Sequence, residues 1–225
     1  MFLRTISTGS KGNSYALFHN QEILLLDLGV SAKEIKKNID FRISDVVGCL
    51  VTHKHLWLDH SLSVKDFKNM GINVFEGYKS DKNFIQFGSF KIKKFELPHD
   101  DTLNCGYYIT VDNQKLLYMT DFIYCKYKFT KQRVDHMLIE CNYQQELISE
   151  NLPQYYHKIR GHASLKTCKD FIEINKTDNL KNILLLHMGG DTCNPMECVD
   201  VIQDVVGKDV YVNFARKGLE VELGH

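Results

Sequence analysis

Short apolar runs separated by turn residues dominate the first part of the chain. The continuous apolar character of residues 22–27 and 45–52 predicts two buried strands. Pairs of such runs flank short polar turns within residues 14–27 and again within 103–120, and this pattern predicts hairpins. Strands are therefore expected to come in bunches before the first long helix.

Amphipathic helices are predicted later in the chain. Residues 165–175 and 195–206 carry apolar side chains at helical spacing, and strands are predicted at 181–187 and 210–214 beside them. Bunched strands followed by strand–helix alternation predict an α/β (α+β) fold in which helices cover two mixed sheets. Because the chain has no linker or low-complexity block, we expect a single domain over residues 1–225.

Local signals set some element boundaries. Gly71 is expected to end a helix over 61–71, and Pro98 is expected to end the strand that starts at Phe90. Residues 143–156 are predicted to be helical in parts.

Composition narrows the function classes. The 28 basic and 28 acidic residues cancel, so bulk charge does not attract nucleic acid or anionic lipid, although a local basic patch stays open. The longest apolar runs are far too short to span a membrane, and the N-terminus lacks a signal-peptide pattern, so a cytoplasmic protein is expected. Seven cysteines without a C-x-x-C pair suit reduced thiols.

Candidate chemistry concentrates after the strand predicted at 45–52. His53, His55, Asp59 and His60 follow within eight residues, and neutral imidazole and carboxylate are usual ligands of zinc and similar ions. His53 and His55, two residues apart on an extended segment, share a face. A metal site is therefore predicted here.

Other predicted strands also end in polar candidates. These are Asp27, His99, Asp121 and His187, and His162 stands where a helix is predicted to start. Asp27 has two open interpretations: a cap for the helix that follows it, or a hydrogen-bond partner that orients a metal ligand.

This order of residues resembles the motifs of the metallo-β-lactamase superfamily over nearly the whole chain. The short motifs most resemble its small YycJ-like and phage-borne hydrolases, namely GSKGNS at 9–14, LPHD at 97–100, ECNY at 140–143, GHAS at 161–164 and LHM at 186–188. The resemblance implies a four-layer αββα sandwich, the metallo-β-lactamase fold, with two metal ions at the rim between its sheets. Zinc is the expected metal, with manganese as the alternative.

The resemblance also assigns the ligands. It implies that His53, His55 and His99 bind the first metal and that Asp121 bridges both, while the second metal takes Asp59, His60 and His187. Catalytic roles would fall on Asp59, Asp121 and His162. His162 would give a proton to the leaving oxygen, or would instead be a helix-start residue bonded to the backbone.

One departure from the family pattern affects the ligand loop. His55 and Asp59 are separated by Leu56, Trp57 and Leu58, two residues more than the family spacing. Either the extra residues bulge outward and leave the ligands in place, or they displace Asp59 and His60 and weaken the second metal site.

The resulting hypothesis is a metal-dependent phosphodiesterase or nuclease that cleaves DNA or RNA with a metal-activated water. The alternatives are a hydrolase of a small lactone, thioester or cyclic phosphate, and a binding protein whose metal site is partly lost. A nucleic-acid substrate requires a basic groove at the metal, and the candidate residues are Lys11, Lys54, Lys126, Lys128, Lys131 and Arg160. The alternative is that these basic side chains are ordinary solvent-exposed surface residues. Formation of a homo-oligomer is compatible with the sequence.

Overall fold

Two mixed β-sheets and helices on their outer faces make up the computed structural model, which describes residues 1–54 and 61–224. The strands are β1 Phe2–Ser7, β2 Ser14–His19, β3 Glu22–Leu26, β4 Val46–Val51, β5 Val74–Glu76, β6 Phe84–Phe87, β7 Phe90–His99, β8 Thr102–Val111, β9 Gln114–Met119, β10 His136–Glu140, β11 Asn182–Leu186, β12 Tyr211–Phe214 and β13 Glu220–Glu222. The α-helices are α1 Ala32–Asn38, α2 Val64–Asn69, α3 Tyr155–Gly161, α4 Leu165–Asn175 and α5 Pro195–Val206.

Each sheet combines an antiparallel part with a parallel part. The first has the order β13-β1-β2-β3-β4-β5, and the second has the order β12-β11-β10-β9-β8-β7-β6. Strands β3, β4 and β5 are parallel, as are β9 to β12, whereas β7, β8 and β9 form an antiparallel meander. The predicted hairpins β2–β3 and β8–β9 are both present.

Three layers of apolar contacts hold the sheets and helices together. Between the sheets, Leu17 and Leu24 of the first belong to one buried cluster with Tyr107 and Leu138 of the second. Helices α1 and α2 pack on the outer face of the first sheet, and α4 and α5 pack on the outer face of the second. The predicted αββα sandwich is therefore confirmed. No helix in residues 1–54 and 61–224 is long and apolar enough to cross a bilayer.

The prediction that Pro98 ends its strand is wrong. Strand β7 continues through Pro98, which pairs with Leu103, to His99, which pairs with Thr102. The other neighbour, β6, pairs only with the first residues of β7, up to Lys93. Among residues 1–54 and 61–224, no strand therefore pairs with Pro98 on the second side of β7, and its carbonyl accepts from the amide of Ile123 at 2.9 Å instead. The missing N–H of proline is tolerated at such a place.

Two helix predictions need adjustment. The helix predicted at 61–71 is shorter and runs from Val64 to Asn69. Within 143–156 the structure has only a 3₁₀ turn at Gln145–Leu147 before α3 begins at Tyr155. Local periodicity over such a short stretch does not define where a helix starts.

A close backbone contact holds the Gly/Ser loop between β1 and β2 in place. Gly12 has a φ of +111°, and a Cβ added there would lie 2.0 Å from the carbonyl oxygen of Gly29. The amide of Gly29 donates to the carbonyl of Asn13 at 2.9 Å. Glycine at position 12 is therefore required by both the backbone conformation and the contact.

We predict that Gly12→Ala destabilises the protein more than Gly71→Ala. Gly71 also has a positive φ, of +78°, but a Cβ there would meet nothing within 4 Å. Gly71→Ala, the control, should lower the free energy of unfolding by about 1–2 kcal/mol because alanine is unfavourable in the left-handed conformation. Gly12→Ala should lower it by an additional ~1–3 kcal/mol because the new methyl group overpacks the contact with Gly29. Urea unfolding of both variants measures the difference. Equal destabilisation of the two variants would show that the contact contributes nothing.

Candidate metal centre

Strands of both sheets deliver polar side chains to one rim of the sandwich. Because β3 and β4 are parallel, and β7, β9, β10 and β11 run in one direction, their carboxyl ends meet at one edge of each sheet. The residues at or just beyond these ends are Asp27, His53, His99, Asp121, Glu140 and His187. All six are buried.

Contacts between β4 and β8 join the two sheets at this rim. His53 forms an isolated bridge with Asn104, and the amide of Cys105 donates to the carbonyl of Thr52 at 3.1 Å. The side-chain amide of Asn104 donates in turn to the carbonyl of Thr120 at 3.1 Å. The strand ends that carry His53 and Asp121 are thus held together by backbone and amide bonds.

The carboxylate of Asp121 is the centre of the buried polar cluster. Its Oδ2 accepts from Asn13 Nδ2 at 2.9 Å and from Thr120 Oγ1 at 2.6 Å. Its Oδ1 lies 2.9 Å from His187 Nδ1. Asn13 belongs to the loop that Gly12 and Gly29 hold in place, so this loop contributes directly to the site.

Asp121 belongs to two groups of potential metal ligands. The ligand atoms of His53, His99 and Asp121 all lie within 4.8 Å of one another. The same holds for a second group of buried residues, Asp121, Glu140, His162 and His187. Buried imidazoles and carboxylates fit zinc and manganese. The donor set of this chain therefore fits the metals that the sequence resemblance implies.

Hydrogen bonds orient the imidazoles of His99 and His162. The Nδ1 of His99 donates to the carbonyl of Gly161 at 2.6 Å, so its Nε2 is the nitrogen that can ligate a metal. The Nδ1 of His162 lies 2.8 Å from Glu140 Oε1. His162 is the C-cap of α3, and Ser164 caps α4. The interpretation of His162 as a helix-start residue bonded to backbone is therefore wrong.

The structure decides between the two interpretations of Asp27. Ser31, not Asp27, caps α1 by accepting from the amide of Glu34. Asp27 accepts from Tyr118 OH at 2.6 Å and from Thr52 Oγ1 at 2.9 Å, and Thr52 Oγ1 lies 2.9 Å from His53 Nδ1. Since this hydroxyl donates to Asp27, it accepts from the Nδ1 of His53, and the Nε2 of His53 is the nitrogen that could ligate a metal.

Burial and neighbouring charges shift the pKa values of two of these groups. Burial raises the pKa of Asp27 to about 7, although the bonds from Tyr118 and Thr52 lower it. Burial would lower the pKa of His187, but the carboxylates of Asp121 and Glu140 raise it to about 10. A proton on His187 therefore provides positive charge next to the carboxylates, at a place that suits a metal ion.

Three of the strand-end residues have left-handed backbone conformations. The φ angles are 56° for Asp27, 55° for Asp121 and 49° for His187. This region is unfavourable for non-glycine residues, and asparagine, aspartate and histidine tolerate it best. Such strain, about 1–3 kcal/mol per residue, concentrates at functional sites. The left-handed conformation turns each of these side chains into the rim immediately after its strand.

The structure brings together all five predicted catalytic and metal-ligating residues that it describes. His53, His99, Asp121, His162 and His187 lie in the two groups that share Asp121. The predicted ligands His55, Asp59 and His60, with the insertion at 56–58, lie outside the described residues.

Glu140 is a site residue that the predicted ligand set lacks. Its carboxylate contacts His162 and accepts from the amides of Phe122 at 2.9 Å and Ala163 at 3.2 Å. Burial opposes its ionisation, but His162 and His187 lower the pKa of Glu140. It ends the apolar run of β10, the same signal that singled out Asp27, so the sequence contained the information needed to find it.

We predict that His99→Ala lowers the metal content by about one ion per chain, because the first group would keep too few ligands. Inductively coupled plasma mass spectrometry of protein from zinc-supplemented growth measures this. His19→Ala is the matched control, since His19 pairs with Asp112, a residue of the β8–β9 turn. An unchanged metal content in His99→Ala would contradict the assignment.

Curated proteins with similar sequences carry nuclease names. The chain is 25% identical over 215 residues to exodeoxyribonuclease YycJ of Bacillus anthracis, covering 83% of this chain and 81% of the relative. It is also 25% identical over 215 residues to exodeoxyribonuclease WalJ of Streptococcus pneumoniae, covering 81% and 80%. No protein-family model matches the chain.

Solved structures with the same fold cover almost the whole chain. The metallo-β-lactamase fold protein YhfI from Bacillus subtilis superposes with a TM-score of 0.72 at 14% identity, covering 98% of both chains. The short form of human tRNase Z superposes with a TM-score of 0.64 at 13% identity, covering 100% of both chains. The chain therefore has the metallo-β-lactamase fold, and its sequence is YycJ-like.

Proposed function

We propose that the protein is a metal-dependent nuclease that hydrolyses phosphodiester bonds of DNA. The observation that carries this proposal is the position of Asp121, which belongs to both groups of potential ligands at the rim. A carboxylate shared in this way suits a pair of divalent ions. A bound pair would lower the pKa of a water molecule and offset the charge that develops on the phosphoryl oxygens.

The proposed ligands combine the geometry with the sequence motifs. His53, His55 and His99 would hold the first ion, Asp59, His60 and His187 would hold the second, and Asp121 would serve both. Asp27 orients His53 through Thr52, since both contact the Thr52 hydroxyl. The support for His55, Asp59 and His60 comes from the sequence motif alone.

His162 is the proposed proton donor to the leaving oxygen. The carboxylate of Glu140 accepts from its Nδ1, so Nε2 is the nitrogen that gives the proton to the oxygen of the broken P–O bond. The carboxylate of Glu140 stabilises the charged imidazole before proton transfer. Hydrogen bonds from two backbone amides to the other carboxylate oxygen fix the orientation of Glu140. This pairing resembles other carboxylate–histidine arrangements in which the acid fixes the tautomer. Glu140 is thus a positioning residue in this proposal.

The names of the relatives favour nucleic acid, with DNA first. Two relatives with similar sequences are named exodeoxyribonucleases, and one structural neighbour is named tRNase Z. DNA is therefore the proposed substrate, and RNA is the second substrate to test.

A basic, aromatic groove beside the metal centre supports a single-stranded substrate. His99 lines a cleft of about 430 Å³ together with Tyr124 and Lys126. An adjoining cleft of about 530 Å³ is lined by Lys93, Lys128 and other residues that include Phe84 and Tyr127. The side chain of Phe84 is 67% exposed and that of Tyr124 is 56% exposed.

Exposed rings between lysines are typical of surfaces on which bases stack while the phosphates follow the positive charge. Among the lysines suggested by the sequence, Lys126 lines the cleft at the metal centre and Lys128 lines the adjoining one. At the metal centre Lys126 pairs with Glu96 at 3.7 Å, whereas the adjoining cleft combines Lys93, Lys94 and Lys128 with this one glutamate. The excess of positive charge therefore lies in the adjoining cleft, where the phosphates of a bound strand would need it.

We predict that the purified protein degrades end-labelled DNA with zinc or manganese and that Asp121→Asn abolishes this activity. An amide cannot offset the charge of two cations as a carboxylate does. Gel electrophoresis of single- and double-stranded DNA, and of RNA of the same sequence, measures cleavage. Circular dichroism checks that the variant is folded.

Other outcomes separate the alternatives. If wild-type protein containing metal leaves nucleic acids intact but hydrolyses a lactone, a thioester or a small cyclic phosphate, the nuclease proposal is wrong and the fold serves a small-molecule hydrolase. If it contains metal and hydrolyses none of these, the binding-protein alternative is favoured. Near-normal turnover by Asp121→Asn would refute the bridging role.

We predict that replacing both Lys126 and Lys128 with alanine raises the KM for single-stranded DNA and leaves kcat nearly unchanged, because these residues bind phosphates away from the reacting bond. The log–log slope of affinity against salt concentration should become shallower by about 0.7 for each phosphate that the variant no longer neutralises. Lys208→Ala is the control, since Lys208 precedes β12 at the opposite edge of the sheet. An unchanged KM and slope in the double variant would exclude this groove as the binding path.

A further inference from the structure

Four of the seven cysteines converge behind the rim, between the second sheet and its helices. Cys141 follows β10, Cys168 lies in α4, Cys193 precedes α5, and Cys198 lies in the first turns of α5. All four are buried in the same cluster, with exposed fractions of 5% or less. Cys49 and Cys105 lie in the other two apolar clusters, and Cys125 is partly buried at the edge of this one.

Three of the four sulfur atoms are close enough to share one ion. Those of Cys141, Cys193 and Cys198 all lie within 4.8 Å of one another, and those of Cys193 and Cys198 are 3.3 Å apart. Thiolates about 2.3 Å from a tetrahedral zinc ion lie about 3.8 Å from each other. Small shifts of the side chains would bring Cys141, Cys193 and Cys198 to this arrangement. Cys168 belongs to the same buried cluster and is the candidate for the fourth ligand.

A buried lysine provides a second, independent observation. Lys158 is 9% exposed, and its ammonium donates to Asn142 Oδ1 at 3.1 Å. Among residues 1–54 and 61–224, no carboxylate lies within ion-pair distance of it. It lies against Gly189, where an added Cβ would be 2.7 Å from Nζ. Its ammonium interacts electrostatically with the carboxylate of Glu140 first, and then with Cys193 and Asp191. A buried ammonium requires nearby negative charge.

We propose that Cys141, Cys168, Cys193 and Cys198 bind a structural Zn²⁺ ion separate from the metal centre at the rim. Four thiolates around Zn²⁺ carry a net charge of about −2, and the ammonium of Lys158 offsets part of this charge. Sulfur ligands select zinc or another thiophilic ion over manganese, which prefers oxygen and nitrogen. Metal binding displaces the thiol protons into solvent, and no oxidant or reductant takes part.

The position of this ion explains what it would stabilise. Cys141 directly follows Glu140, and the segment from His187 to Cys193 connects β11 to α5. The ion would therefore fix two strand ends that carry site residues against α4 and α5. This connection is structural, so the proposal does not depend on the nuclease activity.

Substitution with cobalt tests the proposal, because only a sulfur-ligated Co²⁺ gives strong sulfur-to-metal charge-transfer absorption. The wild-type protein is reconstituted with Co²⁺ and compared with Cys193→Ala and Cys49→Ala. Cys49 is a buried cysteine of the first sheet, so its replacement controls for the loss of a buried thiol. We expect the absorption in the wild type and in Cys49→Ala, and its loss in Cys193→Ala with a decrease of about one ion per chain.

Each other result overturns the proposal. Absence of the absorption in the wild type would mean that the cluster consists of packed thiols, and this measurement requires no variant to fold. Persistence of the band in Cys193→Ala would exclude Cys193 as a ligand. Detection of a Cys193–Cys198 disulfide in the wild type by mass spectrometry under non-reducing conditions would assign the pair a redox role instead. The His99→Ala variant should keep the band, which separates this ion from those at the rim.

Discussion

The buried carboxylate of Asp121 is the constraint on which the rim of the sandwich depends. A charge removed from water costs several kcal/mol unless hydrogen bonds and opposite charges replace its hydration. The replacements come from distant parts of the chain: Asn13 of the first loop, Thr120 beside it, and His187 after β11. Folding therefore has to bring the two sheets into register at this rim to stabilise one side chain. The close contact of Gly12 with Gly29 serves this purpose, since it holds the loop that carries Asn13.

The same charge balance explains why a metal fits here. Asp27, Asp121 and Glu140 are three fully or almost fully buried carboxyl groups around a cluster of imidazoles. Without an added cation, positive charge has to come from protons, and the raised pKa of His187 reflects this need. A bound divalent ion would supply this charge without a proton and would leave the imidazole neutral. Because such an ion would bind the folded arrangement only, its binding would stabilise the rim.

Much of this arrangement is predictable because strand ends are visible in the sequence. Asp27, Asp121 and His187 each follow a continuous apolar run, and the carboxyl ends of parallel strands meet at one edge. Interactions between distant residues are less predictable. Whether Asp27 caps α1 or orients His53 depends on Thr52 and Tyr118, which local pattern does not connect to it. The prediction for Pro98 is wrong because the tolerance of this proline depends on how far β6 extends along β7. Glu140 has the same strand-end signal as Asp27, but its role depends on its contact with His162 from another element.

The distribution of charge separates substrate binding from reactivity. The rim carries buried carboxylates, so an anionic phosphodiester is repelled there unless metal ions are present. The lysines and exposed rings of the adjoining clefts lie outside this negative region and can hold a strand by its phosphates and bases without metal. Electrostatic attraction in the groove is screened by salt, whereas the interaction of a phosphate with a partly buried ion is screened much less. In the proposed function, binding by the groove and reaction at the metals would therefore respond differently to ionic strength. A chain with no net charge would then bind a polyanion through the excess of lysines in the cleft that adjoins the metal centre.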